Sequence, residues 1–199
     1  MILTPIPPER LDAALAGFAA PLEDPAARAA FARICATAAE RAAGDTAERH
    51  RQEAIALARC CGMELHPPGT HSPFNWDGAA LSVDTEAYVI LHEAAHFVLA
   101  PPERRGLIDF GLGPGPDTTD RAAAERAAVV SLMERDADEA AASLLGILWE
   151  AALGQPALAS FLDQNWLEGL ERSAAAHFTA VLAGLRRRGL VPDQMREMR

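Results

Sequence analysis

Two histidines one helical turn apart, with a glutamate beside the first, are the residues of this chain best placed to do chemistry: His92-Glu93-Ala94-Ala95-His96. On a helix, residues four apart lie nearly above one another, so both imidazoles leave one face and can close on a single metal ion. Glu93 sits next to that face, where a carboxylate can move the proton of a water on the metal, the general-base arrangement of metal hydrolases. The flanks predict the helix that this spacing needs. Asp84 is a good N-cap, Glu86 favours the positive helix end, Tyr88, Leu91, Ala95 and Leu99 recur at core-facing spacing, and Pro101-Pro102 ends the run.

Two histidines need at least one more ligand. The run Glu134-Arg135-Asp136-Ala137-Asp138-Glu139-Ala140-Ala141 offers carboxylates on a second helix. Its E-x-x-A-D-x-x-A pattern resembles that of gluzincin metallopeptidases. The resemblance implies Glu134 as third ligand and Asp138 as the carboxylate that braces a ligand histidine. Glu139 is a further candidate from the same run. His66 and His71, in the segment before the motif helix, are alternative ligands, whereas His177 stands alone near the C-terminus and reads as structural.

Bulk properties bound the function. The chain has 199 residues, half of them apolar, enough for one sizeable core, and it is expected to be a single domain over 1–199. A formal charge of −10 argues against nonspecific binding to nucleic acid or to an anionic membrane. All 18 basic residues are arginine, which excludes Schiff-base chemistry and a lysine-held pyridoxal cofactor. The N-terminus shows no basic region followed by an apolar run, and no stretch approaches membrane-spanning length, so a soluble cytoplasmic protein is expected. Cys35, Cys60 and Cys61 form no C-x-x-C pair and read as reduced thiols.

The pattern is mainly α: a helical architecture, or α+β with one short strand, with a zincin-like metal site. Helices are predicted from Pro8 to about Ala20, from Pro25 to Ala43 before Gly44, and from Thr46 to Cys61 before Gly62, forming an N-terminal helical region over 8–61. Residues 62–79 are too rich in turn formers for regular structure, and Ala80-Leu81-Ser82-Val83 is a candidate strand. The metal-site region follows over about 80–190. Within it, 101–119 is a long connector of the kind that is functional or disordered. Helix resumes at Asp120, with breaks near Leu132 and at Gly154-Gln155-Pro156, and a last helix runs from about Leu167 to Arg188.

A wider resemblance covers roughly residues 85–190. His92-Glu93-x-x-His96, Ala100, Arg104-Arg105-x-Leu107-x-Asp109-Phe110-Gly111 and Pro116-Asp117 resemble the bacterial elongation factor P hydroxylase family, with H-E-x-x-H-W, A, R-R-x-L-x-D-F-G-Y-W and P-D at similar offsets. Glu150-Ala151-Ala152-Leu153-Gly154-Gln155-Pro156 and Asn165-Trp166-Leu167-Glu168-Gly169 are similar to its A-A-G-x-P and D-N-L-E-G segments. Leu112-Gly113 stand where the family has an aromatic pair, so the resemblance is to a divergent member. It implies a hydroxylase acting on a protein, with elongation factor P as candidate partner. It also singles out Arg104 and Arg105 for substrate and Asp109 as a group that orients a ligand histidine.

Two function classes follow. Two histidines and a carboxylate can hold Fe(II) with open positions, as in non-haem oxygenases that activate O2, and the longer resemblance favours this reading. The same ligands can hold Zn(II), with Glu93 activating water in a small peptidase or amide hydrolase. A metal-stabilised binding module would need a closed four-ligand site instead. Oligomeric state is open. Arg186-Arg187-Arg188 reads as a solvated helix end, and Trp76, Trp149 and Trp166 as core or pocket wall.

Overall fold

A computed structural model describes residues 6–168 and 173–191. The described residues are mainly helical, and their only extended pairing is two isolated bridges. They divide into two compact units, Met1–Arg41 with Ile147–Arg199, and Ala42–Gly146. Of the N-terminal region 8–61, residues 8–41 fall in the first unit and 42–61 in the second. No helix among the described residues is long and apolar enough to cross a membrane.

The first unit contains α1 (Pro8–Ala19), α2 (Pro25–Cys35), the end of α7 (Leu132–Leu153), α8 (Ala157–Asp163) and α9 (Ala174–Arg187). Its core is aromatic. Phe18, Phe31, Phe161 and Phe178 are each at most 6% exposed, with centroids 4.7 Å apart for Phe18 and Phe31 and 6.0 Å for Phe161 and Phe178. Asp24 caps α2 by accepting from the Ala26 N–H, with Pro25 at the first helical position. Helix α2 stops at Cys35, eight residues before the expected Ala43. There the Thr37 hydroxyl donates to the Ile34 carbonyl and accepts from the Leu158 N–H, which draws the chain out of the helix. Helix α9 begins at Ala174 under a Ser173 cap, so Leu167 and Glu168 precede it outside any helix; the stretch 169–172 of the expected last helix lies outside the described residues.

The second unit is built on α3 (Gly44–Cys60) packed along α4 (Ala87–Leu99). Helix α4 contains no glycine or proline and buries Val89, Ile90, Leu91, Ala94 and Ala95, while Tyr88 and Leu99 are half-buried. Its N-cap is Glu86, without a side-chain bond; Asp84 instead accepts from the Gly69 N–H in the preceding loop. At the other end Ala100 turns extended ahead of Pro101 and Pro102, as the residue before a proline must. The candidate strand at 80–83 is reduced to bridges from Leu81 to Leu65 and to Trp76. These tie the 62–86 loop to itself, and the Trp76 indole N–H donates to the Arg105 carbonyl at 2.8 Å, so Asn75 and Trp76 are fixed although their segment has no regular structure. The 101–119 connector contains α5 (Pro102–Arg105) and a 3-10 turn (Ile108–Gly111), and is pinned by Arg135 to the Pro114 carbonyl and Arg121 to the Gly115 carbonyl. It is followed by α6 (Arg121–Ala127) and the first half of α7.

Candidate metal centre

Helix α4 presents His92 and His96 on one face, with their Nε2 atoms 3.0 Å apart. The third member of the group comes from α7, and it is Glu139: its Oε2 lies 3.4 Å from each of these nitrogens. Donors bound about 2.0–2.1 Å from one tetrahedral ion stand roughly 3.3 Å apart, so this triad has the spacing that a single ion requires. Three potential donors converging on a point, two imidazole nitrogens and one carboxylate oxygen, also have the chemistry of a transition-metal site.

Helix phase explains why Glu139 is the partner. At Gly146, an added Cβ would sit 3.4 Å from the His92 backbone, so α7 approaches α4 there at a distance suited to glycine. Glu139 lies seven residues before Gly146, within about 20° of the same face, two turns along. Asp138 lies nearly a quarter-turn off that face, and its carboxylate pairs with the Arg104 guanidinium. Glu134, expected as third ligand, does not join the histidines. It is exposed and accepts from the Ser131 N–H at 2.9 Å and hydroxyl at 2.7 Å, while Ser131 Oγ accepts from the Glu134 N–H, a reciprocal box at the start of α7.

The ionisations fit the contacts. Burial disfavours charge on His92, yet its hydrogen bond to Glu139 and the negative charges of Glu93 and Glu139 leave its pKa raised. Burial also disfavours the Glu139 carboxylate, and its two histidine partners outweigh this and hold it well below the usual carboxylate range. Glu93 is buried beside the triad, where the Asn75 amide donates to its Oε1 at 3.2 Å. The Asn75 contact has no signature in the H-E-x-x-H spacing, because it depends on the fold of the 62–86 loop.

The D-F-G element forms a wall of the site. The Phe110 ring is 1% exposed and stacks on His96 at 5.6 Å and on Trp76 at 5.5 Å. Its backbone is unusual. Asp109 (φ 46°), Phe110 (φ 54°) and Gly111 (φ 72°) are three consecutive left-handed residues, a conformation that costs about 1–2 kcal/mol at each non-glycine position. Packing against His96 and Trp76 holds Phe110 there, and the Asp109 N–H donates to the Trp76 carbonyl at 3.0 Å. Asp109 was expected to orient a ligand histidine; its hydrogen-bond partner is the Thr118 hydroxyl, at 2.8 Å. Burial, together with the charges of Glu93 and Glu139, pushes its carboxyl up to about 6 against the opposing pull of Thr118 and His96.

The remaining candidates have other duties. Arg104 is engaged by Asp138, while Arg105 donates from Nε to the Ala100 carbonyl and lies 4.9 Å over the Phe97 ring. They brace the segment that carries D-F-G instead of presenting a free basic pair. The His66 ring bonds Asp77 at 2.8 Å, and His71 is exposed in the loop, so neither joins the triad. His177 stacks on Trp166 at 5.3 Å in the first unit. Compared with protein-family models, with curated proteins and with solved structures, the chain matches none.

Proposed function

We propose that the protein is a metal-dependent enzyme with a zincin-like centre, His92, His96 and Glu139 being the ligands and Glu93 the proton carrier. The observation that carries this reading is the convergence of three donor atoms within 3.4 Å of one another beside a buried, amide-bonded glutamate. Within that class we propose a non-haem iron hydroxylase acting on a protein, elongation factor P being the candidate substrate and the cytoplasm the expected setting. A two-histidine, one-carboxylate set with open positions suits Fe(II) and oxygenase chemistry. The R-R-x-L-x-D-F-G element that carried the resemblance also supports it, since its Phe110 ring stacks on His96.

Iron(II) held by the triad would supply O2 activation. The chain supplies the surroundings: Asn75 keeps the Glu93 carboxylate turned to the site, Glu93 can hold or release a proton there, and Phe110 with Trp76 excludes water from the His96 side. One observation favours Zn(II) hydrolysis as the second reading: Glu93 is buried beside the ligands, where a general base for water attack is required.

Metal analysis of protein purified without chelators, followed by O2 uptake after anaerobic Fe(II) loading, tests the proposal. Stoichiometric metal, Fe(II)-dependent O2 consumption with an added two-electron reductant, and the gain of one oxygen atom by elongation factor P while the other leaves as water, are expected. His92→Ala and His96→Ala should each abolish stoichiometric binding with helical content retained. Zinc-supported peptide cleavage without O2 uptake would replace the iron reading with the hydrolytic one, and unchanged metal content in both variants would end both.

A further inference from the structure

Three carboxylates belong to the surroundings of this centre, and two of them have partners that explain them. Glu139 is matched by the two imidazoles and Glu93 by the Asn75 amide. Asp109 is the third. Its Oδ2 accepts from Thr118, whose oxygen is itself fixed by the Gly115 N–H at 2.9 Å, and no other donor among the described residues reaches the carboxylate. Its charge is nevertheless felt among Glu93, His96 and Glu139, so it belongs to the same electrostatic neighbourhood.

The backbone makes this placement deliberate. A left-handed Asp-Phe pair is held in place by the Phe110 stack, by the Asp109 N–H to the Trp76 carbonyl, and by the Val129 N–H to the Gly111 carbonyl at 2.9 Å. An ordinary turn would carry the chain past the site without strain; this one fixes Asp109 between the Trp76 carbonyl, which its N–H bonds, and Phe110, whose ring stacks on His96. Strain of this kind gathers where a side chain must be aimed.

We propose that Asp109 reads the small molecule or substrate group that binds beside the metal, accepting its hydrogen bond on Oδ1 and disfavouring anions. This inference rests on the metal-centre reading above. It assigns the site a preference for a protic group, a hydroxyl, amide or water, over a carboxylate or other anion of similar size.

Azide titration of the Co(II)-loaded full chain at about pH 8, followed by the visible spectrum, tests it, Co(II) and azide being probes and Asp109 being ionised there. Asp109→Asn removes the charge and keeps the shape, and asparagine tolerates left-handed backbone as aspartate does. The variant should bind Co(II) as the parent does but bind azide about tenfold more tightly. Asp109→Gly, for which the backbone is free of strain, should shift azide affinity in the same direction and serves if the asparagine variant fails to fold. Glu134→Gln, which removes an exposed carboxylate from the start of α7, should leave azide affinity at the parent value. Equal azide affinity in parent and both Asp109 variants overturns the role of Asp109 and leaves the metal site standing. A parent that takes up no Co(II) overturns both.

Discussion

Glu139 and Glu150 lie on one helix, three turns apart, one in each unit, and their environments drive them in opposite directions. Burial raises the pKa of both. At Glu139 two imidazoles answer the carboxylate and it is held ionised. At Glu150, only 2% exposed, burial prevails over the Ser160 hydrogen bond and over Arg41, which also bonds Asp163, and the carboxyl rises to about 7. A buried acid that stays charged needs dedicated partners, and here the partners are the two histidines of the candidate metal site. The backbone repeats the contrast. In the first unit the only non-glycine left-handed residue among those described is Asn165, which tolerates the conformation, while the second spends it on Asp109 and Phe110 beside the ligands.

The largest effect should come from breaking the answered carboxylate. Glu139→Gln is expected to lower metal affinity by at least about a hundredfold, more than loss of a group that only braces a ligand. Competition against a chromophoric chelator measures it, and an affinity within a few-fold of the parent would remove Glu139 from the ligand set.

The unanswered carboxylate is sharpened by pH. The folded-state value of Glu150, about 7, lies above the ordinary 4.5, so its contribution to stability is present below about pH 4.5 and is lost as pH rises through 7. The full loss is about 3 kcal/mol. Glu150→Gln should therefore flatten the decline between pH 5 and 8, read as the difference between parent and variant in urea midpoint, which cancels the terms from Glu139 and His92. Parallel profiles would show that Arg41 neutralises Glu150 fully.

The smallest effect is expected at Glu134. Glu134→Gln keeps a side chain that can complete the Ser131 box, so metal affinity should be unchanged and the thermal midpoint slightly lower. A loss of affinity as large as at Glu139 would reverse the two assignments.

Local pattern carried much of this protein. Helix periodicity and proline and glycine punctuation placed α1, α4, α7 and the breaks around them within a few residues, because those signals act within one or two turns. The pairing of His92 with His96 is likewise a property of one helix. The first turn of α7 held a legible signal that argues against Glu134 as ligand: Ser131-Leu132-Met133-Glu134 has the S-x-x-E spacing of a capping box, and Ser131 and Glu134 are its two ends. Gly146, seven residues past Glu139, was the other local hint, a gap through which one helix can approach another.

The third member of the triad was a tertiary decision. Four carboxylates within six residues are alike in sequence, and only the approach of α7 to α4 at Gly146 selects the one whose helical phase faces His92 and His96. The same holds for Arg104 and Arg105, a basic pair in sequence but separately engaged by Asp138 and by the Ala100 carbonyl once the connector folds. The left-handed D-F-G turn, too, depends on Trp76 and His96 packing against Phe110 from distant segments. Sequence alone determined most of the helices and the two histidines, since those follow from neighbours along one chain segment, whereas the end of α2 and the start of α9 did not follow from it. Which carboxylate answers the histidines was decided by how two helices meet, a distance and a rotation that no local pattern encodes.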